Sequence, residues 1–361
     1  MDDLVRIRER IDELDQEIVR LLKDRYENAR LLGRIKSERG LEYRDPEREK
    51  IILRNIERAS TTLGLEPKLV RPVFEHIFPL SVQAQKHQPQ KSSRKLEGTR
   101  ILIVGGTGGM GRFLARFLAL QGDEIKLAGR EIDKTKTAAK ELEVEAGTIL
   151  DAASSDIVVL SVPIEETVRV ASETISLMSP GSLLIDLSSV KTGISDKIAE
   201  KIPKNLEYVS VHPLFGPSTD HLHDQAIVTV SYQAGQKWSR LSRALQAGGA
   251  KLVPMSAAQH DKAMAYVQGL HHFALISLGL GLDGMGGEPR TQSLRETEDR
   301  IASLLDNWST IMGIQQLNPF VAPLRQRFLE SLTNFSELRS KEAGGVRKRL
   351  ASNVQKWSRK L

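Results

Sequence analysis

The chain has no cysteine among its 361 residues. That excludes disulfide scaffolds, cysteine-ligated zinc, iron–sulfur clusters and cysteine nucleophiles. It has no run of about 18 apolar residues, the length a membrane-spanning helix needs. The first stretch, MDDLVRIRERIDELDQEIVR, is charged from its second residue and does not read as a secretory signal. The cytoplasm is therefore the expected compartment, with no membrane partner. A large excess of one charge is also missing: 52 basic residues face 46 acidic ones, a net +6. Acids interleave with bases everywhere except a basic run from Lys341, so the pattern reads as a solvated mixed surface. No recognition helix or aromatic platform is visible, and no nucleic-acid partner is expected. What is present is a folded composition, 40% hydrophobic and 27% charged, long enough for two or three domains.

Residues 1–39 read as one long helix, because Leu4, Ile7, Ile11, Leu14, Ile18, Leu21, Leu22, Ala29 and Leu32 recur at steps of three and four. Pro46 opens a second helix to about Leu63, and a third runs from Pro67 to about Gln85. Three helices make a thin unit, so a dimer is expected here. Residues 89–98 read as a polar linker. From Ile101, short apolar runs alternate with helical segments, the rhythm of a parallel sheet. From about Ala257 the pattern is helical to the end, broken near Gly284–Pro289 and Asn318–Pro323. The expected architecture is multidomain. An all-α unit (1–88) comes first, then a Rossmann-type α/β domain (99–256), then an all-α C-terminal domain (257–361).

Gly106, Gly108 and Gly111 form G-x-G-x-x-G between a strand and a helix. The first glycine allows the tight turn, the second lets the backbone approach a pyrophosphate, and the third lets the helix pack closely. Thr107, Gly109 and Met110 complete the candidate dinucleotide loop. The second strand ends on Gly129 and Arg130; a basic residue there leans towards NADP, while Glu131 or Asp133 could serve the ribose of NAD. His212, in VSVHPLFGP, falls where ligands bind in such sheets. It is either a proton acceptor or a histidine that hydrogen-bonds its own loop. His272 lies on a mostly apolar helix, where a satisfied core histidine is the commoner outcome. His221 and His223, beside Asp224, read as an exposed polar loop, and no metal is expected.

Arg25 and Lys36 lie eleven residues apart, which at about 100° per residue puts both on the apolar stripe of the first helix. Arg8 lies at the edge of that stripe. Buried cations need partners. Asp45, Arg48 and Glu49 share a face of the second helix, and Ser81 and Gln85 a face of the third. Either these groups surround a small polyanion or they form ion pairs within a helical dimer.

The fragments IRERIDELD, KDRYENARLLGRIK, YRDPEREK and FPLSVQAQK resemble the all-helical chorismate mutases. IVGGTGGMGRFLARFL, SVPIEET, DLSSVKTGI, HPLFGP and QHDKAM followed by VQGLHHF resemble the prephenate dehydrogenases. The whole resembles the bifunctional chorismate mutase–prephenate dehydrogenases of tyrosine biosynthesis. The resemblance implies that chorismate rearranges to prephenate, which is then oxidatively decarboxylated to 4-hydroxyphenylpyruvate with NAD or NADP. It implies that Arg8, from a partner subunit, and Arg25 clamp the substrate carboxylates, with Ser81 and Arg48 beside them. Lys36 and Gln85 would donate to the ether oxygen, and Glu49, with the backbone around Asp45, would hold the ring hydroxyl. His212 would take the hydroxyl proton of prephenate, supported by Ser189, with His272 near the substrate. One departure stands out. The family's arginine before an Asn-Pro or Asp-Pro is absent from TIMGIQQLNPF, leaving Arg300 and Arg325 as replacements. That loss is the one support for a weakened dehydrogenase half, or one shifted to arogenate. A different class of reading makes the helical part a regulatory ligand sensor, but a sensor has no need of donors at the ether oxygen.

Overall fold

The structure is a computed structural model that describes residues 3–39, 41–86, 96, 98–121, 124–219, 221–337 and 343–358. Of the expected linker 89–98, only Leu96 and Gly98 lie within the described residues. The chain forms two compact units. One holds residues 1–94 with His221–Gln225 and Leu245–Ala250; the other holds the rest. The division expected at 256/257 falls inside the second unit.

The first unit is built on helices α1 (Asp3–Glu38), α2 (Pro46–Thr62) and α3 (Pro67–Lys86). Asp45 caps α2, its carboxylate accepting the Arg48 N–H at 3.0 Å, and Pro46 takes the first helical position. Ala29, Leu53, Phe78 and Ala84 are buried between the helices. The N-terminal half of the α1 stripe is not: Ile7, Ile11 and Ile18 are each more than 50% exposed.

The second unit begins with β1 (Arg100–Val104), α4 (Gly109–Ala119), β2 (Glu124–Ala128), α5 (Ile132–Glu141) and β3 (Glu145–Ala146). β4 (Ile157–Leu160), α6 (Ile164–Leu177), β5 (Leu183–Asp186), α7 (Ser195–Ala199) and β6 (Glu207–Pro213) follow. β7 (Ala226–Gln233), α8 (Gln236–Ala247) and β8 (Lys251–Pro254) complete one sheet, ordered β3-β2-β1-β4-β5-β6-β7-β8. Pairing is parallel from β3 to β6, and β7 runs antiparallel to β6. Strands covered on both faces read as unbroken apolar runs, and Leu102, Val158, Leu160, Leu184 and Tyr208 are all essentially inaccessible.

The helical remainder comprises α9 (Ala257–Met264), a π-helical turn (Ala265–Leu270), α10 (His271–Gly281), α11 (Gln292–Ser303), α12 (Trp308–Leu317), α13 (Val321–Ser336) and α14 (Ala343–Ser358). A break occurs at 282–291 as expected, but the next is shorter than expected. Pro323 belongs to the first turn of α13, where a missing N–H costs nothing. Ala265, Ile314, Val321 and Leu324 pack with Ile164 and Val190 of the sheet region, which fixes α9 and the π turn beside the sheet. Among the described residues no helix is long and apolar enough to cross a membrane.

Candidate active sites

A cavity of about 480 Å³ opens among the three helices of the first unit. Arg25, Lys36, Asp45, Arg48, Glu49, Ser81 and Gln85 all line it, over apolar ground from Ala29, Leu32, Ile52, Phe78 and Val82. The helical spacings thus bring together seven of the eight predicted polar groups. Arg25 Nε donates to Ser81 Oγ at 3.1 Å, and Lys36 Nζ donates to the Tyr43 carbonyl at 2.8 Å. Among the described residues neither cation is paired with a carboxylate. Glu49, three-quarters or more buried, accepts two 3.3 Å contacts from Arg44, a residue that the sequence reading passed over. The Asp45 side chain serves the α2 cap. Gln85 is buried and donates to the Ser81 carbonyl. Arg8 is exposed and absent from the cavity wall. It lies 17 residues before Arg25 on one unbroken helix, about 25 Å along it at 1.5 Å per residue.

In the second unit a cavity of about 460 Å³ is lined by Gly105, Thr107, Gly108, Arg130, Ser161 and Arg169, among others. The tight turn falls one residue earlier than expected. Gly105, not Gly106, takes the left-handed conformation (φ 82°), and a Cβ there would strike the Ser161 carbonyl. Gly106 is glycine because a Cβ would sit 2.7 Å from Leu127 Cδ2, and Gly111 because a Cβ there would sit 2.7 Å from the Gly105 carbonyl oxygen. The doublet Gly105–Gly106 carried this signal in the sequence. At Gly108, by contrast, the nearest protein atom to a Cβ is the Gly105 carbonyl at 3.4 Å. The backbone there is open, with the α4 N-terminus behind it, and fits a dinucleotide pyrophosphate. Gly109 gives Pro217 room, and Phe215 packs edge-on against Phe113 of α4 at 5.3 Å. The segment that follows His212 is thereby held against the helix of the glycine loop. Met110 is half-buried and lies off the cavity wall. Glu131 pairs with Lys134 at 2.9 Å, whereas Arg130 is exposed and has no acid partner among the described residues.

His212 is the penultimate residue of β6 itself, not of the loop beyond, and is almost fully buried. Its Nδ1 lies 2.8 Å from His260 Nε2 of α9. His260 Nδ1 lies 2.7 Å from Asp261 Oδ1. Asp261 also accepts the backbone N–H of Lys191 at Oδ1 (2.9 Å) and that of Thr192 at Oδ2 (2.7 Å). Burial holds both histidines below the usual imidazole range; the neighbouring His260 and the Lys191 charge push His212 further in that direction. Lys191 is fully buried, and its Nζ donates to Ser210 Oγ (2.6 Å) and to the Val211 carbonyl (2.8 Å), with Asp186 at 3.7 Å. Desolvation lowers its pKa against the pull of Asp186 and Asp261. Ser189 is buried close by in the chain, but among the described residues no hydrogen bond joins it to His212. The reading of the sequence missed His260, Asp261 and Lys191. The Gln-His-Asp and Val-Lys-Thr stretches gave their chemistry but not their partners.

The π turn separates this group from His272. His272 is not a satisfied core histidine: among the described residues its Nδ1 is buried without a hydrogen bond, as is Gln268 Oε1. Burial, then the neighbouring His271, lowers its pKa. Such turns mark functional sites in many helices. Gln315 Nε2 donates to the Gly269 carbonyl of the turn at 2.6 Å, and Arg325 Nη1 lies 3.5 Å from Gln315 Oε1. The Arg325 guanidinium sits 5.8 Å from the Phe273 ring centroid and has no acid partner among the described residues. Arg300 is exposed on α11.

Residues 7–86 match the family Chorismate mutase type II, and residues 114–253 match Prephenate dehydrogenase, nucleotide-binding domain. The "T-protein" of Enterobacter agglomerans is 31% identical over 280 residues, covering 78% of this chain and 71% of that protein. The "Probable arogenate/prephenate dehydrogenase" of Methanocaldococcus jannaschii is 31% identical over 255 residues, and the chain spans 56% of its length. The crystal structure of prephenate dehydrogenase from Aquifex aeolicus in complex with hydroxyphenyl propionate and NAD+ shares the fold. Its TM-score is 0.59 at 21% identity, over 73% of this chain and 99% of that one. The chain belongs to the T-protein family, the bifunctional chorismate mutases and prephenate dehydrogenases of tyrosine biosynthesis.

Proposed function

We propose that chorismate rearranges in the cavity of the helical unit, and that prephenate is oxidised beside His212 with NADP as the cofactor. The observation that carries the reading is uncompensated charge. Arg25 and Lys36 face one cavity and, among the described residues, neither is paired with a carboxylate, a costly arrangement unless an anion completes it. The rearrangement is unimolecular and needs no proton transfer. Arg25, Ser81 and Arg48 hold carboxylate, Lys36 and Gln85 face the ether oxygen where negative charge grows, and Glu49 accepts the ring hydroxyl. The cavity acts by confining one conformer and by charge already in place.

In the second unit the α4 N-terminus and the Gly108 backbone hold the pyrophosphate, and Arg130 meets a 2′-phosphate. When bound, the nicotinamide supplies the hydride acceptor. His212 accepts the proton of the ring hydroxyl as that carbon is oxidised, the ring carboxylate leaves as carbon dioxide, and the proton returns to the phenolate oxygen. Arg325 holds the pyruvate carboxylate from α13, in place of the arginine missing from α12. Its half-buried guanidinium, over the Phe273 ring and with no acid partner among the described residues, supports it over the exposed Arg300.

The working form is a homodimer. The open Ile7–Ile11–Ile18 stripe and the distance of Arg8 from its own cavity support a second copy that supplies Arg8. Mixing Arg8→Ala chains with Lys36→Gln chains should restore mutase activity that neither has alone; no recovery in refolded mixtures would count against a shared site. The direct test of the whole reading gives purified protein chorismate as its only substrate and follows reduced-nucleotide absorbance. Reduction faster with NADP than with NAD is expected. A preference for NAD would overturn the role of Arg130, and silence even with added prephenate would overturn the oxidation.

A further inference from the structure

The His212 ring makes one hydrogen bond among the described residues, to His260, and that bond has a direction that the surrounding groups dictate. Asp261 accepts two backbone N–H groups, so its carboxylate presents lone pairs and not a proton to its neighbours. His260 Nδ1, 2.7 Å from the same Oδ1, is therefore the N–H side of that ring. A neutral imidazole carries one proton, so His260 Nε2 is bare. It can only accept, and the partner within reach is His212 Nδ1 at 2.8 Å. His212 Nδ1 is then protonated and its Nε2 is a free lone pair. The chain of three is locked from behind. Asp261 is pinned by the backbone of the loop that follows β5, and Asn318 Nδ2 donates to the Asp261 carbonyl at 2.9 Å. His260 and Asp261 are wholly inaccessible to solvent.

We infer that His260 and Asp261 are positioning residues that fix the tautomer of His212, leaving Nε2 as the proton acceptor. The inference rests on the reading of His212 as the base of the oxidation. A ring left free to choose would spend part of its time with the proton on Nε2, where it cannot accept. Loss of an orienting carboxylate behind a catalytic histidine lowers turnover by up to about 10⁴-fold. Here the second histidine transmits the same constraint one ring further.

The test uses the full-length enzyme with 15N-labelled histidine. The His212 signals, assigned by their loss in His212→Asn, should show a protonated Nδ1 and an unprotonated Nε2. His260→Leu removes the acceptor, and should lower dehydrogenase kcat roughly 10²–10³-fold with KM for prephenate changed only a few-fold. His260→Gln keeps an acceptor oxygen in the same place, and should recover most of that loss. Nucleotide binding by each variant, measured in parallel, reports whether the sheet unit still folds. A protonated Nε2 in the wild-type enzyme, or wild-type kcat in His260→Leu, would overturn the inference. Full dehydrogenase activity in His212→Asn would instead overturn the reading on which it rests.

Discussion

The two sites solve opposite electrostatic problems. In the helical unit, Arg25 and Lys36 are paired with no carboxylate among the described residues, and the cavity they face has apolar ground from Ala29, Leu32, Ile52, Phe78 and Val82. In the sheet unit, each charged or titratable group around His212 is engaged: Lys191 by Ser210 and Val211, Asp261 by two backbone N–H groups, His260 by Asp261. The difference follows from the chemistry. A rearrangement in which no proton moves is accelerated by fixed charge aimed at space that the substrate will fill. An oxidation that begins with a proton transfer needs one nitrogen bare and held so, and that requires a saturated set of hydrogen bonds behind it.

Removing the base should have the largest effect. His212→Asn is expected to lower dehydrogenase turnover by roughly 10³-fold or more, while chorismate consumption continues at the wild-type rate. Next comes Lys36→Gln, which should slow chorismate loss by roughly 10²–10³-fold and leave the oxidation of added prephenate unchanged. Together the two variants sharpen the comparison, because each should silence one reaction only; a variant that lost both would break it. Arg325→Gln should raise KM for prephenate roughly 10- to 100-fold, the worth of one charged hydrogen bond of about 1.5–3 kcal/mol, with kcat much less affected. Arg300→Gln should leave both constants alone. The smallest effect belongs to Arg130→Ser, expected to erode the preference for NADP over NAD by about tenfold, read from the ratio of kcat/KM for the two nucleotides.

The helical site was largely legible in the sequence and the sheet site only in outline. A helix has one period, so residues such as Arg25 and Lys36 can be assigned to one face without coordinates, and all but Arg8 of the predicted polar set meet in one cavity. The glycine loop was legible too, because its role is written in consecutive residues, although the turn belongs to Gly105 and not Gly106. The His212–His260–Asp261 chain was not. It joins a strand to a helix across 48 residues, and no periodicity connects the two. Nor could the pattern alone say whether His272 is a satisfied core histidine, since whether a histidine on an apolar helix finds a partner depends on what packs opposite it. Among the described residues its Nδ1 has no hydrogen-bond partner. The surroundings of Arg325, on which its proposed role rests, could not be read either: Val321 of α13 packs with Ala265 of the π turn, and Gln315 of α12 lies between that turn and Arg325.

The most direct test of the contrast is the acid limb of the dehydrogenase pH profile, measured as kcat/KM for prephenate on the wild-type enzyme. Burial, the adjacent His260 and the Lys191 charge all disfavour a protonated His212, so the base stays neutral as pH falls through its ordinary value of 6.5. The rate should hold level through that pH and decline only well below it. An acid limb at or above 6.5 would mean that the base is an ordinary solvated group, and would contradict the account.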